Sequence, residues 1–117
     1  TPTEREAILY LGGYFIMPRI DPHALAARFR AARAAGVKTV LDVVTPGPAD
    51  YLPTLLPVLP EVDVFLPNDH EAKLISGLDD PLAQARFFRE RGAGTVIITQ
   101  GDRGSVLVQQ GLELRAG

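Results

Sequence analysis

The 117-residue sequence contains no cysteine and no tryptophan, and it has only one methionine and two histidines. The lack of cysteine excludes disulfide bonds, thiolate zinc sites and cysteine nucleophiles. Two histidines without cysteine also make a zinc centre a poor fit. A chain free of cysteine suits a reducing compartment, so we expect a cytoplasmic protein.

An excess of one charge and long apolar stretches are also missing. Twelve Lys and Arg residues stand against fourteen Asp and Glu residues, which gives a formal net charge of −2. This balance predicts no general attraction to nucleic acid or to an anionic membrane surface. No apolar run approaches the ~20 residues that span a bilayer, and no signal-peptide pattern is found. We therefore expect neither nucleic acid nor a membrane as a partner.

What the sequence does contain is an alternation of apolar runs and helical segments. Asp21-Pro22 and Asp80-Pro81 each predict the start of a helix, with Asp as N-cap and Pro at the first helical position. The apolar runs predict strands at residues 7–11, 37–44, 62–66 and 95–99. The alternation predicts a single α/β domain over residues 1–117, layered αβα around a mainly parallel sheet.

Three segments add detail to this fold. Residues 7–11 are apolar throughout, which predicts a strand covered on both faces. Residues 45–61 carry five prolines, and a proline inside a helix costs ~3 kcal/mol, so we expect short helical turns there. Residues 106–108 and 112–114 predict a C-terminal β-hairpin that turns at Gln110 and Gly111.

The segment from Asp63 to Glu71 joins a predicted strand to a predicted helix. Pro67 marks the break between the two. Asn68 is a favourable helix N-cap, and the Glu71 carboxylate can reach back to the N–H group of Asn68. The pattern leaves open whether these two side chains only cap the helix or also face a ligand.

Polar residues and glycines lie at or just beyond the carboxyl ends of three of the predicted parallel strands. They are Asp42, Asn68, Glu71, Thr99, Gly101 and Gly104. Carboxyl ends of parallel strands meet at one edge of a sheet, where ligands bind, so we expect these residues to lie together. Their oxygens could hold phosphate groups and Mg²⁺, which prefers oxygen ligands and keeps several waters. Structural interpretations also stand: Asp42 could cap a loop or pair with an arginine, and both glycines could serve a β-turn only.

Two of these segments resemble the motifs of ribokinase-like (PfkB-type) carbohydrate kinases. Residues 68–71 are similar to the family's Asn-x-x-Glu, and residues 99–104 to its Thr-x-Gly-x-x-Gly nucleotide loop. Residues 36–42 are similar to the strand that precedes these motifs. The resemblance extends over nearly the whole chain in the family's order. It implies a ribokinase-like, Rossmann-like α/β fold.

The resemblance also implies an activity, namely transfer of the γ-phosphate of ATP to a sugar or a similar alcohol, with Mg²⁺. Thr99 and Gly101 would contact the nucleotide, and Gly104 would permit the turn. Asn68 and Glu71 would organise Mg²⁺ and its waters near the phosphates.

Asp42 would join Asn68 and Glu71, since it matches a position that is often polar in the family.

The family's catalytic base lies in a Gly-Ala-Gly-Asp motif, which does not occur among these 117 residues. The family's N-terminal sugar-binding strands and lid are not matched either. We therefore expect the central part of a kinase, inactive by itself. This reading leaves a homodimer open.

Two alternatives come from other functional classes. One is a non-catalytic α/β domain of similar fold that serves assembly or regulation. The other is a flavodoxin-like receiver, which predicts an acidic cluster near an early strand end. Asp42 alone matches that cluster poorly.

Overall fold

In the computed structural model, the described residues contain six strands in one sheet, and the order across the sheet follows the order along the chain. The strands are β1 (Ile8–Leu11), β2 (Lys38–Leu41), β3 (Val64–Phe65), β4 (Thr95–Thr99), β5 (Ser105–Gln109) and β6 (Leu112–Ala116). Neighbouring strands from β1 to β4 are parallel, whereas β5 is antiparallel to both β4 and β6. The predicted C-terminal hairpin is therefore confirmed, and it extends the sheet beyond β4.

The structure describes residues 8–12, 21–45, 47 and 50–116. Ala7 of the first predicted strand lies outside them, as do Pro46 and Pro48 of the proline-rich segment. Within the described residues, no helix is long and apolar enough to cross a lipid bilayer.

The described helices are α1 (Pro22–Ala34), α2 (Leu52–Leu55), α3 (Asp69–Ser76) and α4 (Pro81–Glu90), and two 3₁₀ turns cover Leu59–Glu61 and Gly101–Arg103. Both predicted Asp-Pro helix starts are confirmed. The Asp21 carboxylate accepts a hydrogen bond from the Ala24 N–H at 2.9 Å, and Asp80 accepts one from Ala83 at 3.0 Å. The proline-rich segment forms short α2 and the first 3₁₀ turn, as its composition predicts.

The prediction that β1 is covered on both faces is wrong for this chain. Ile8 is 61% exposed and Tyr10 is 56% exposed. Among the described residues β1 pairs only with β2, so it is an edge strand, and only its last residue, Leu11, packs against the core.

Two inner strands are shorter than predicted. β2 spans four residues instead of 37–44, and β3 spans two instead of 62–66. The parallel pairing of these strands ends together, at Leu11, Leu41 and Phe65, which is directly before Asp42 and three residues before Asn68.

Side-chain hydrogen bonds fix the register of β2 and β3 at their amino ends. The fully buried Thr39 donates its hydroxyl proton to the Glu61 carbonyl at 2.6 Å. The Asp63 carboxylate accepts from the Thr39 N–H at 2.9 Å, and Arg33 forms an ion pair with the same carboxylate at 3.3 Å. A one-residue slip between β2 and β3 would break all of these bonds. The register therefore fixes the positions of the residues that follow the two strands.

Two glycines near β3 and β4 allow close backbone contact. A Cβ atom on Gly94 would lie 2.9 Å from the Asp63 carbonyl oxygen, and one on Gly92 would lie 2.8 Å from Pro60 Cα. Real Cβ atoms do not approach so closely, so the segment before β4 lies directly against the segment before β3.

The core centres on two phenylalanines that join α4 to the sheet. Phe65 of β3 and Phe88 of α4 are both fully buried. Their ring centroids are 4.9 Å apart with an interplanar angle of 75°, an edge-to-face arrangement. This contact holds α4 against the short strand that leads into Asn68.

We expect Phe88→Ala to lower the free energy of unfolding by about 3–5 kcal/mol, since it removes a buried ring and leaves a cavity. Urea denaturation of the parent and the variant measures this change. The control is Leu114→Ala on β6, where the side chain is 51% exposed and the expected change is within about 0.5 kcal/mol. Equal losses in both variants would contradict the assignment of Phe88 to the core.

Candidate functional site

The carboxyl ends of the parallel strands bring the predicted residues to one edge of the sheet. Asp42 follows β2 directly, and its N–H donates to the Leu11 carbonyl at 2.9 Å. Asn68 and Thr99 form a parallel β-bridge, and the Thr99 N–H donates to the Pro67 carbonyl at 3.1 Å. The two motifs are therefore direct neighbours. We refer to Asp42, residues 68–71 and residues 99–104 as the strand-end rim.

The capping box predicted from the sequence is present at α3. The Asn68 side-chain oxygen accepts from the Glu71 N–H at 2.7 Å, and Glu71 Oε1 accepts from the Asn68 N–H at 2.9 Å. Among the described residues, the other carboxylate oxygen of Glu71 has no hydrogen-bond partner. Capping thus occupies only one of the two oxygens of this carboxylate.

The charge state of Glu71 reflects its position between other polar groups. Burial raises the pKa of Glu71 above its ordinary value, and the negative charge of Asp42 raises it further. The Asn68 N–H and His70 act in the opposite direction. Asp42 and Glu71 are thus close enough to repel each other, and a cation at the rim would relieve this repulsion.

Asp42 has a hydrogen-bond partner that the sequence did not reveal. The Tyr10 hydroxyl donates to Asp42 Oδ2 at 3.1 Å, and this interaction raises the pKa of Tyr10. The apolar run at residues 7–11 predicts only that Tyr10 belongs to a buried strand. No sequence signal pointed to this contact, which follows from the register of β1 and β2: Tyr10 lies opposite Val40, two residues before Asp42.

The segment after β4 forms a closed turn. Thr99 is exposed at the end of the strand, and residues 101–103 form the 3₁₀ turn. The Gln100 N–H donates to the Gly104 carbonyl at 2.8 Å. Gly101 has φ +61° and Gly104 has φ +95°, values that L side chains rarely adopt. Both glycines therefore meet a conformational requirement of the turn.

An ion pair that the sequence did not predict links this turn to α3. Arg103 Nη2 lies 3.7 Å from Asp69 Oδ2, and the Arg103 side chain is 77% exposed. Within the described part of the chain, no group of three or more His, Cys, Asp or Glu residues could hold a metal ion. A metal at the rim would therefore rely on one or two carboxylates and on water.

Comparison with known proteins identifies the family. The family model described as "pfkB family carbohydrate kinase" matches residues 2–116. The chain belongs to this family. Its six-stranded, mostly parallel sheet with an antiparallel C-terminal pair is the ribokinase-like α/β fold predicted from the motifs.

Curated relatives include two with ribokinase in their names. The chain is 37% identical over 114 residues to the bifunctional ribokinase/ribose-5-phosphate isomerase A of Fructilactobacillus sanfranciscensis, covering 90% of this chain and 20% of that protein. It is 39% identical over 87 residues to the ribokinase of Staphylococcus aureus, covering 70% of this chain and 27% of that protein. The chain thus spans about a fifth to a quarter of the length of these relatives.

Solved structures show the same fold. Aminoimidazole riboside kinase from Salmonella enterica, complexed with aminoimidazole riboside and an ATP analog, has a TM-score of 0.77 at 21% identity, covering 96% of this chain and 40% of that chain. Arabidopsis thaliana ribokinase, complexed with ribose and ATP, has a TM-score of 0.71 at 21% identity, covering 94% and 34%.

The raised pKa of Glu71 predicts how stability depends on pH. A carboxyl whose folded pKa is raised contributes stability below its unfolded pKa, and this stability is lost as pH rises through the folded pKa. Glu71→Gln does not titrate, and glutamine can still complete the capping box. We expect the free energy of unfolding of Glu71→Gln, relative to the parent, to rise between about pH 4 and pH 7, measured by urea denaturation across this range.

Glu113→Gln is the matched control with the opposite sign. Two hydrogen bonds from Arg86 lower the pKa of Glu113, so its contribution is present above the unfolded pKa and lost as pH falls. The Glu113→Gln variant should therefore lose stability relative to the parent as pH rises from about 3 to the unfolded pKa of about 4.3, and the difference should stay level above that pH. A Glu71→Gln difference that is flat or falls with pH would show that Glu71 is not destabilised by its surroundings.

Proposed function

We propose that the strand-end rim binds MgATP and that the chain forms the nucleotide part of a kinase that phosphorylates a sugar or a related alcohol. The β-bridge between Asn68 and Thr99 carries this proposal, because it joins the two motifs into one site. Membership of the pfkB family supports it. Relatives named ribokinase, and similar structures complexed with ATP or an ATP analog, support ATP and a sugar as the two substrates.

In this proposal the turn after β4 contacts the nucleotide. Thr99 is exposed at the strand end and offers a hydroxyl group. Apart from its neighbours along the chain, no atom lies within 4 Å of a Cβ built on Gly101, so open space adjoins the backbone there. A ligand can approach the main chain closely at such a position. Gly104 permits the closed turn that holds both residues in place.

Asn68, Glu71 and Asp42 would organise Mg²⁺ and the phosphates. The donor set fits this ion, which prefers oxygen ligands and usually keeps several waters beside one or two carboxylates. The unpartnered oxygen of Glu71 and the repulsion between Glu71 and Asp42 both favour a bound cation. Bound Mg²⁺ would neutralise charge on the phosphates during transfer. The chain's own contribution is to fix Glu71 through the capping box and Asp42 through Tyr10.

The remaining parts of the reaction lie with other residues of the kinase in this proposal. The chain has no Gly-Ala-Gly-Asp sequence, so the base that accepts the proton of the attacking hydroxyl would come from elsewhere. The partners would be ATP and a small sugar-like substrate, with neither nucleic acid nor a membrane, and the location would be cytoplasmic.

Gly101→Val should abolish ATP binding, because a branched side chain would fill the space beside the turn and strain a residue with positive φ. Isothermal titration with ATP and Mg²⁺ measures the affinity. Gly111→Val is a close control, since Gly111 also has positive φ and open space but lies in the β5–β6 turn. ATP binding that survives Gly101→Val, or is lost equally in both variants, would refute the nucleotide site.

Glu71→Gln should remove most of the gain in ATP affinity that Mg²⁺ provides, because the variant keeps the cap and loses the charge. The measurement is a pair of ATP titrations, with Mg²⁺ and with EDTA. Glu90→Gln is the control: Glu90 ends α4 and its side chain is 74% exposed. An undiminished Mg²⁺ effect in Glu71→Gln would leave Glu71 with only its capping role.

A further inference from the structure

We infer that Arg103 binds the polyphosphate of the nucleotide and that Asp69 holds its guanidinium when no nucleotide is bound. The inference rests on the proposed function, because it identifies an anion-binding side chain within the same site. It is carried by the ion pair between Arg103 and Asp69, which spans the two motif segments at 3.7 Å.

The charges of the strand-end rim point to Arg103. The rim contains four carboxylates, those of Asp42, Asp69, Glu71 and Asp102, and Arg103 is its one Lys or Arg residue. A polyphosphate that approaches this edge meets negative charge unless a cation intervenes. Mg²⁺ would offset the carboxylates at Asp42 and Glu71. Arg103 is the remaining cationic group of the rim, and it lies on the turn that bears Gly101 and Gly104.

The ion pair in the structure is one that a stronger ligand can displace. Its separation of 3.7 Å exceeds the length of a charge-assisted hydrogen bond. The Arg103 side chain is 77% exposed, so solvent weakens its attraction to Asp69. Phosphate oxygens match the planar guanidinium fork with two parallel bonds. A nucleotide in the rim would therefore offer Arg103 a better partner than Asp69.

The turn restrains the backbone of Arg103, whereas its side chain is exposed to solvent. The Gly104 N–H donates to the Gly101 carbonyl at 3.3 Å, and the Arg103 N–H donates to the Gln100 carbonyl at 3.1 Å. These bonds fix the Cα atom of Arg103 beside the segment that would contact the nucleotide. Movement of the guanidinium from Asp69 to a phosphate then needs only side-chain rotation.

The test compares ATP, ADP and adenosine binding by isothermal titration in the parent chain and in Arg103→Ala. We expect Arg103→Ala to weaken ATP and ADP binding about tenfold or more, and to leave adenosine binding unchanged, since adenosine has no phosphate. Arg103→Lys should recover part of the loss, because it keeps the charge without the fork. Arg30→Ala is the control: Arg30 is also an exposed arginine paired with a carboxylate, Glu61, but at the amino end of the strands.

Asp69→Asn tests the holding role. Release of Arg103 should strengthen ATP binding about two- to fivefold in the parent background and leave it unchanged in the Arg103→Ala background. An equal gain in both backgrounds would mean that Asp69 only repels phosphate, which would overturn the pairing role. Circular dichroism and thermal melting confirm that each variant is folded.

The outcomes separate this inference from the proposed function. If Gly101→Val abolishes ATP binding while Arg103→Ala binds ATP like the parent, the inference is wrong and the nucleotide site stands. If Arg103→Ala weakens adenosine binding as much as ATP binding, the residue does not act through the phosphates. If the parent chain binds no ATP, both the inference and the proposed function fail.

Discussion

The hydrogen bond from the Thr99 N–H to the Pro67 carbonyl is the interaction on which the site depends. Pro67 lies two residues after β3 and has no N–H of its own, yet its carbonyl accepts a hydrogen bond from the neighbouring strand. Through this bond the last residue of β4 pairs with the chain beyond β3, at the bridge between Asn68 and Thr99. Without it, a capped helix and a glycine turn would be separate features. With it, they form one surface, on which Asp42 also lies.

Local patterns explain why much of this arrangement could be predicted from the sequence. Asn68 and Glu71 form their capping box within four residues, and the Asp-Pro starts of α1 and α4 depend on similarly short spacings. The parallel sheet follows from alternation, and a parallel sheet brings its strand ends to one edge. The closeness of Asp42, Asn68 and Thr99 was therefore a consequence of topology and required no knowledge of side-chain contacts.

The features that could not be predicted depend on which strands become neighbours and where the sheet ends. Tyr10 pairs with Asp42 across 32 positions of sequence, and Arg103 reaches Asp69 from the next motif. Neither contact leaves a local pattern. The exposure of β1 likewise depends on the rest of the fold. Its apolar residues predict a buried strand, but a strand is buried only where other elements pack against both faces of the sheet. Among the described residues, β2 alone pairs with it.

The close contact of Gly94 with Asp63 limits which residues can replace glycine at position 94. β3 has only two residues, so the distance from this crowded backbone contact to the capped start of α3 is a few residues of nearly straight chain. A methyl group at position 94 would push Asp63 outward, and so short a strand has no room to absorb the displacement. The steric limit at the amino edge of the sheet thus helps to set the position of the capped start of α3 at the carboxyl edge, although Gly94 lies outside the strand-end rim.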